Sequence, residues 1–154
     1  MKKSSANKSS ALPKDVLYFG LHPYAHDGVD FMVVSLSINS ETLADFSYYA
    51  IDLEELVRSQ SEDGEVFLLT CWCGQPSCAG IYRGVQVWHE AADIHWLVPE
   101  PDAPKEYVFE KAALETALSV LRKEIRGFVA ERIYTNKAPY KIVPMQNEPF
   151  FNLE

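Results

Sequence analysis

The sequence predicts an α+β fold, and three observations predict it. Short apolar runs with the period of a β-strand fill the first hundred residues. The segments joining them are mostly turns, too short for helical crossovers, so the strands should pair antiparallel. One long stretch with the period of an α-helix stands alone near the C-terminus. The expected architecture is a mainly antiparallel sheet of two three-stranded meanders, packed by one long C-terminal helix and one short helix. At 154 residues, 47% hydrophobic and 23% charged, the chain has the composition of one globular domain. A domain of this size buries about 70% of the surface its unfolded chain exposes.

Residues 1–14, MKKSSANKSSALPK, hold four lysines and no acid, and lack apolar periodicity. They read as a disordered basic tail, with a single α+β domain over 15–154. Val16 to Phe19 is a β-prone run closed by Gly20, and Pro23 with Asp27-Gly28 makes 21–28 a turn. A second strand covers 29–38, where Met32, Val34, Leu36 and Ile38 form one apolar face. Asn39-Ser40-Glu41 is a turn, and 46–51 reads as the third strand of the first meander. Asp52 then has the chemistry of an N-cap, with Glu54 and Glu55 in the first turn of a short helix reaching about Gln60.

The second meander is expected from a strand over 65–73, apolar on both faces, a strand interrupted near Arg83-Gly84 and ending at His89, and a third over 94–98. Pro99, Pro101 and Pro104 make a stiff linker. From about 110 to 133 a helix follows, with Leu114, Ala117, Leu118, Leu121, Ile125, Phe128 and Val129 in one stripe. The segment 134–154 is extended by its prolines, yet Tyr140, Ile142, Val143, Phe150, Phe151 and Leu153 are too apolar to stay undocked.

All three cysteines lie within Thr70-Cys71-Trp72-Cys73-Gly74-Gln75-Pro76-Ser77-Cys78-Ala79-Gly80. On a strand, Cys71 and Cys73 would share a face, and a turn at Gly74 to Ser77 would fold Cys78 back beside them. Three converging thiolates are a ligand set for zinc, although C-x-C departs from the usual C-x₂₋₄-C spacing. No fourth ligand is evident. His89 and His95 lie about 30 Å away along a straight strand at about 3.3 Å per residue. The same cysteines would also serve as small buried thiols packing a turn, or as redox or nucleophilic groups. His22, His26 and Asp27 sit in the predicted turn, which denies them the shared helical face of a metal-binding HxxxH pair.

No phosphate-binding glycine loop or nucleophile elbow is present, so the sequence gives no catalytic residues. The net charge is −8, and without the four lysines of the tail 10 basic residues face 22 acidic ones, a body charge of −12. Such a field disfavours nucleic acid and suits a basic protein partner. No apolar run is long enough to span a membrane. Clustered cysteines in odd number point to a reducing, cytoplasmic setting. The first functional reading is therefore an acidic interaction module for a basic partner. The alternative is a zinc protein or enzyme using Cys71, Cys73 and Cys78.

The string from Cys71 to Val87, CWCGQPSCAGIYRGVQV, followed by Ile94-His95-Trp96, resembles small uncharacterised bacterial proteins carrying a CxCGxxxC turn motif. That resemblance covers about a fifth of the chain and implies no activity.

Overall fold

The computed structural model describes residues 13–42, 49–99 and 104–152. The fold is α+β, as the strand and helix periods predicted. Its first sheet starts with a hairpin, β1 (Leu17–His26) and β2 (Val29–Ile38), paired antiparallel over their whole length. Asp27 and Gly28 turn the chain with φ of 49° and 75°, the left-handed pair that a two-residue hairpin needs. The expected turn over 21–28 is therefore only these two residues. Pro23 sits inside β1, which it can do because β1 is an edge strand with no partner requiring the missing N–H.

Asn39 and Ser40, also left-handed, return the chain into β3 (Glu41–Thr42) beside β2. The expected strand over 46–51 survives as β4 (Ala50–Ile51), while residues 46–48 lie outside the described residues. It pairs with β6 (Leu69–Thr70) and not with β2. The place beside β2 is taken by β10 (Lys141–Val143), which runs parallel to it. The apolar C-terminal segment thus docks as a strand. It continues as a 3₁₀ helix, Met145–Phe151, which seats Phe151 in the core.

Asp52 caps α1 (Leu53–Ser59), its carboxylate accepting from the backbone N–H of Glu54 at 3.0 Å and of Glu55 at 3.2 Å. The strand expected over 65–73 is divided. Its first part is β5 (Gly64–Val66) in the second sheet, and its second is β6 in the β4–β6 pair. The second sheet runs β5, β7 (Val85–Glu90), β8 (Asp93–Val98), β9 (Lys105–Glu110), all antiparallel. The fourth strand, β9, replaces part of the expected proline linker. Its alternation places Tyr107 and Phe109 inward, and Pro101 lies outside the described residues. Each main sheet thus has four strands where three were expected.

The long helix α2 (Lys111–Tyr134) lies within one residue of its expected bounds and is about 36 Å long at 1.5 Å per residue. Its stripe of Leu114, Leu118, Leu121 and Ile125 is buried, with Phe128 and Val129 packed at the margin. It lies against β1 of the first sheet and β9 of the second. One apolar cluster joins Met32, Leu36 and Ile38 of β2 to Val85, Ile94, Trp96 and Phe109 of the second sheet. Residues 1–12 of the expected tail lie outside the described residues. Lys14 is engaged, pairing with Asp93 at 2.6 Å, and Asp15 hydrogen-bonds both ways with the backbone of Val108.

Two buried polar groups tie the C-terminal segment down. Arg132, 8% exposed, pairs with Asp30 and lies 3.9 Å from the centre of the Tyr140 ring. Asn147, fully buried, accepts from the backbone N–H of Leu53 and donates to the carbonyl of Ile51, both at 2.8 Å.

Two measurements check this frame by urea denaturation. Leu121→Ala should lower stability by about 2–5 kcal/mol, because Leu121 is enclosed between the sheets. Asn147→Ala should cost about 2–6 kcal/mol, since it strands two buried backbone groups at about 1–3 kcal/mol each. A loss below 1 kcal/mol for Asn147→Ala would mean that water replaces the amide.

Candidate metal centre

β6 ends at Thr70, and the next four residues form a turn closed by the N–H of Gly74 donating to the carbonyl of Cys71 at 2.8 Å. Gly74 has φ +87°, where a side chain would be strained. A Cβ at Gly74 would also overlap the side-chain amide of Gln146, whose Nε2 donates to the Gly74 carbonyl at 2.9 Å. The turn is thereby held from the C-terminal 3₁₀ helix. A second turn follows at once, a 3₁₀ helix over Pro76–Ala79 with proline at its start. Gly80, at φ +77°, ends it, and the N–H of Ile81 reaches back to the carbonyl of Pro76 at 3.0 Å.

Cys71 and Cys73 come from the first turn and Cys78 from the second. Their three sulfurs lie within 4.8 Å of one another, and all three cysteines are free. The expected clustering is present, but its expected cause is not. The strand stops before Cys71, so two successive turns gather the thiols where strand alternation was expected to. Nor are they buried packing groups: Cys71 is half-buried, and Cys73 and Cys78 are exposed.

Trp72 anchors the loop between the first two cysteines. Its ring packs with Phe31 over Val33, Ala50 and Val143 on the outer face of the first sheet. Tyr24 meets it edge-on at 5.8 Å. Of the other tryptophans, Trp96 is fully buried and Trp88 stacks on His95 at 4.9 Å.

The three sulfurs are not equivalent. The backbone N–H of Cys73, aimed at the Cys71 sulfur, holds the Cys71 thiol below the ordinary range, aided by the thiols of Cys78 and Cys73. Cys78, which donates to Cys71, is pushed up to about 11. Of the two shifted thiols, Cys71 therefore loses its proton before Cys78, and the thiolate is the form in which cysteine ligates metals.

Among the described residues no histidine or carboxylate joins the sulfurs. His89 is bound to Asp63 and to the Ser59 carbonyl, and His95 lies between Glu90 and Glu106. His22 and His26 lie on the strand β1, not in a turn, two alternations apart on one face. His22 bonds Ser35 at 2.6 Å and His26 approaches Asp27 at 3.2 Å, so they form no shared site. The sequence offered no signal for Gln146 as the group that fixes the cysteine turn. The contact spans 72 positions and is visible only once the C-terminal helix is placed. Comparison with protein-family models, with curated proteins and with solved structures gives no match to this chain.

Proposed function

We propose that this chain is a zinc-binding protein in which Cys71, Cys73 and Cys78 supply three thiolate ligands and the fourth position is open to solvent or to a partner's donor. The observation that carries this reading is the approach of all three sulfurs to within 4.8 Å at an exposed corner. Zn–S bonds of about 2.3 Å in a tetrahedron place sulfurs about 3.8 Å apart, so side-chain rotation alone can close the set. An ion bound there would complete what the backbone N–H groups already favour, a deprotonated Cys71. Three protein ligands with one open position is the arrangement in which zinc can activate a bound water or take an incoming ligand.

Metal analysis of the tag-free, reduced protein should return one zinc per chain, with X-ray absorption showing three sulfur neighbours near 2.3 Å. Cys71→Ser and Cys73→Ser should each abolish stoichiometric binding and leave the fold intact by circular dichroism. Chelation should lower stability by about 2.7 kcal/mol, measured against free zinc held at about 100 times Kd. Metal-free protein that takes up no zinc on titration would refute the reading.

A second reading, an acidic surface for a basic protein partner, is favoured by one patch. Glu54, Glu62, Asp63 and Glu65 are exposed around α1 and β5, where Arg58 is paired with Glu55 at 2.6 Å and lies 3.9 Å from Glu62, and His89 meets Asp63. A lysine-rich peptide should bind this patch at low salt and lose most of its affinity as the Debye length falls to about 8 Å. Glu62→Lys with Asp63→Lys should abolish that binding, and retention would remove the patch as its site.

A further inference from the structure

We propose that the outer face of the β1–β2 hairpin is a binding site for a small, neutral, planar aromatic molecule. The site borders the cysteine turn but does not require metal there. Strand alternation creates it. Phe19 and Leu21 of β1 and Met32, Val34 and Leu36 of β2 pack into the core, which turns Tyr18, Gly20, His22 and Tyr24 to the opposite side with Val33, Ser35 and Ser37. A cavity of about 800 Å³ lies over this face, within the range of about 300–1,000 Å³ typical of small-molecule sites.

Its walls are rings: Tyr18, Tyr24, Tyr49 and Trp72. Tyr18 and Tyr24 remain 60% and 49% exposed, so large aromatic surface faces water even though Tyr24 stacks on His26 at 6.2 Å. They are not loose. Tyr24 is braced against Trp72 at 5.8 Å and Phe31 at 6.5 Å, so a ligand ring meets a preformed edge.

Polar recognition centres on one pair, with Ser37, Ser40 and the tyrosine hydroxyls also lining the cavity. His22 Nε2 and Ser35 Oγ are 2.6 Å apart on neighbouring strands. Gly20 keeps them uncovered, since a Cβ there would lie 3.0 Å from Ser35 Oγ and 3.1 Å from His22 Nε2. Imidazole and hydroxyl together offer a donor and an acceptor to the edge of a heterocycle.

The charge of the ligand follows from what the lining lacks. No Asp, Glu, Lys or Arg is among the described lining residues, although the chain carries a net charge of −8. A carboxylate or phosphate entering this cavity would lose hydration without gaining a counter-charge, whereas a neutral ring would not. Aromatic walls, the absence of Asp, Glu, Lys and Arg among the described lining residues and the His22–Ser35 donor–acceptor pair select a flat, neutral heterocycle.

The test is NMR titration of the full chain with indole and quinoline as neutral probes and indole-3-carboxylate as the charged control. The neutral probes should give saturable shifts at the Trp72 indole and His22 ring resonances, and the carboxylate should bind at least tenfold more weakly. Tyr24→Ala should raise Kd about tenfold, with Tyr24→Phe restoring it. Tyr134→Ala, at a side chain 91% exposed elsewhere, should leave binding unchanged. Absence of saturation up to the solubility limit would overturn the proposal, as would equal binding of the carboxylate or indifference to Tyr24→Ala. Saturation by a tryptophan-containing peptide and not by either free heterocycle would overturn it too, and would give the face to a protein partner. Because the cysteines are not ligands here, a protein that binds no zinc but shifts with indole keeps this site and loses the metal reading.

Discussion

The amide of Asn147 is the contact through which the C-terminal segment organises the rest of the molecule. It replaces a missing strand neighbour by hydrogen-bonding the Leu53 N–H and the Ile51 carbonyl, the two backbone groups at the junction of β4 and α1. A fully buried amide is stable only when both its ends are satisfied, and here both are. Fixing Asn147 fixes its neighbours. Gln146, one residue earlier, is brought to the Gly74 carbonyl in the cysteine turn, and Phe151 is brought into the core. The geometry of the thiols at residues 71–78 thus depends on a residue some seventy positions away.

The parallel pairing of β10 with β2 gives the same segment its register. Ile142 faces Met32 and Val143 faces Val33, so the two residues alternate between the main core and the outer cluster beneath Trp72. A slip of one residue would exchange those faces. Arg132, held by Asp30, meets the chain just before β10 through the Tyr140 ring, 3.9 Å from its guanidinium. Val143 then supports the Trp72 ring, which stands between Cys71 and Cys73 in the chain.

Much of this was legible in the residues. The stripe of Leu114, Leu118, Leu121 and Ile125 predicted α2 and its buried face, because helical period over six turns has no competing explanation. Asp52 announced its cap by chemistry. Met32, Val34, Leu36 and Ile38 announced the core face of β2. What could not be read were long-range partners. Residues 141–143 look merely extended, and nothing local says that they join β2 in parallel. The run over 65–73 looked continuous because both its parts are apolar, although Phe67 and Leu68 carry the chain from one sheet to another. β9 was hidden by the prolines before it. Pro23 misled for a physical reason as well: proline marks a turn unless the strand has a free edge, and edge position is a property of the whole sheet. At the candidate site, the three cysteines and their convergence were legible, but through the wrong local geometry, since Cys71 lies one residue beyond the end of its strand.

That geometry bears on what a metal could do here. A structural zinc site closes four ligands around the ion and often supplies folding energy that a small core lacks. This core has no such need: both sheets and α2 meet in one apolar cluster to which none of the three cysteines contributes. The cysteine turn projects from that core on Trp72 and the Gln146 bond, with Cys73 and Cys78 in contact with solvent. Metal bound there would act on the turn and on the face beside it more than on the stability of the whole. Trp72, flanked by two of the thiols, also forms a wall of the β1–β2 cavity. Closing the sulfurs around an ion would bring them to about 3.8 Å from separations of at most 4.8 Å, and the tryptophan between them shares the same backbone. Occupancy of the centre and the shape of the aromatic cavity are therefore joined by one side chain, the shortest route by which either site could influence the other.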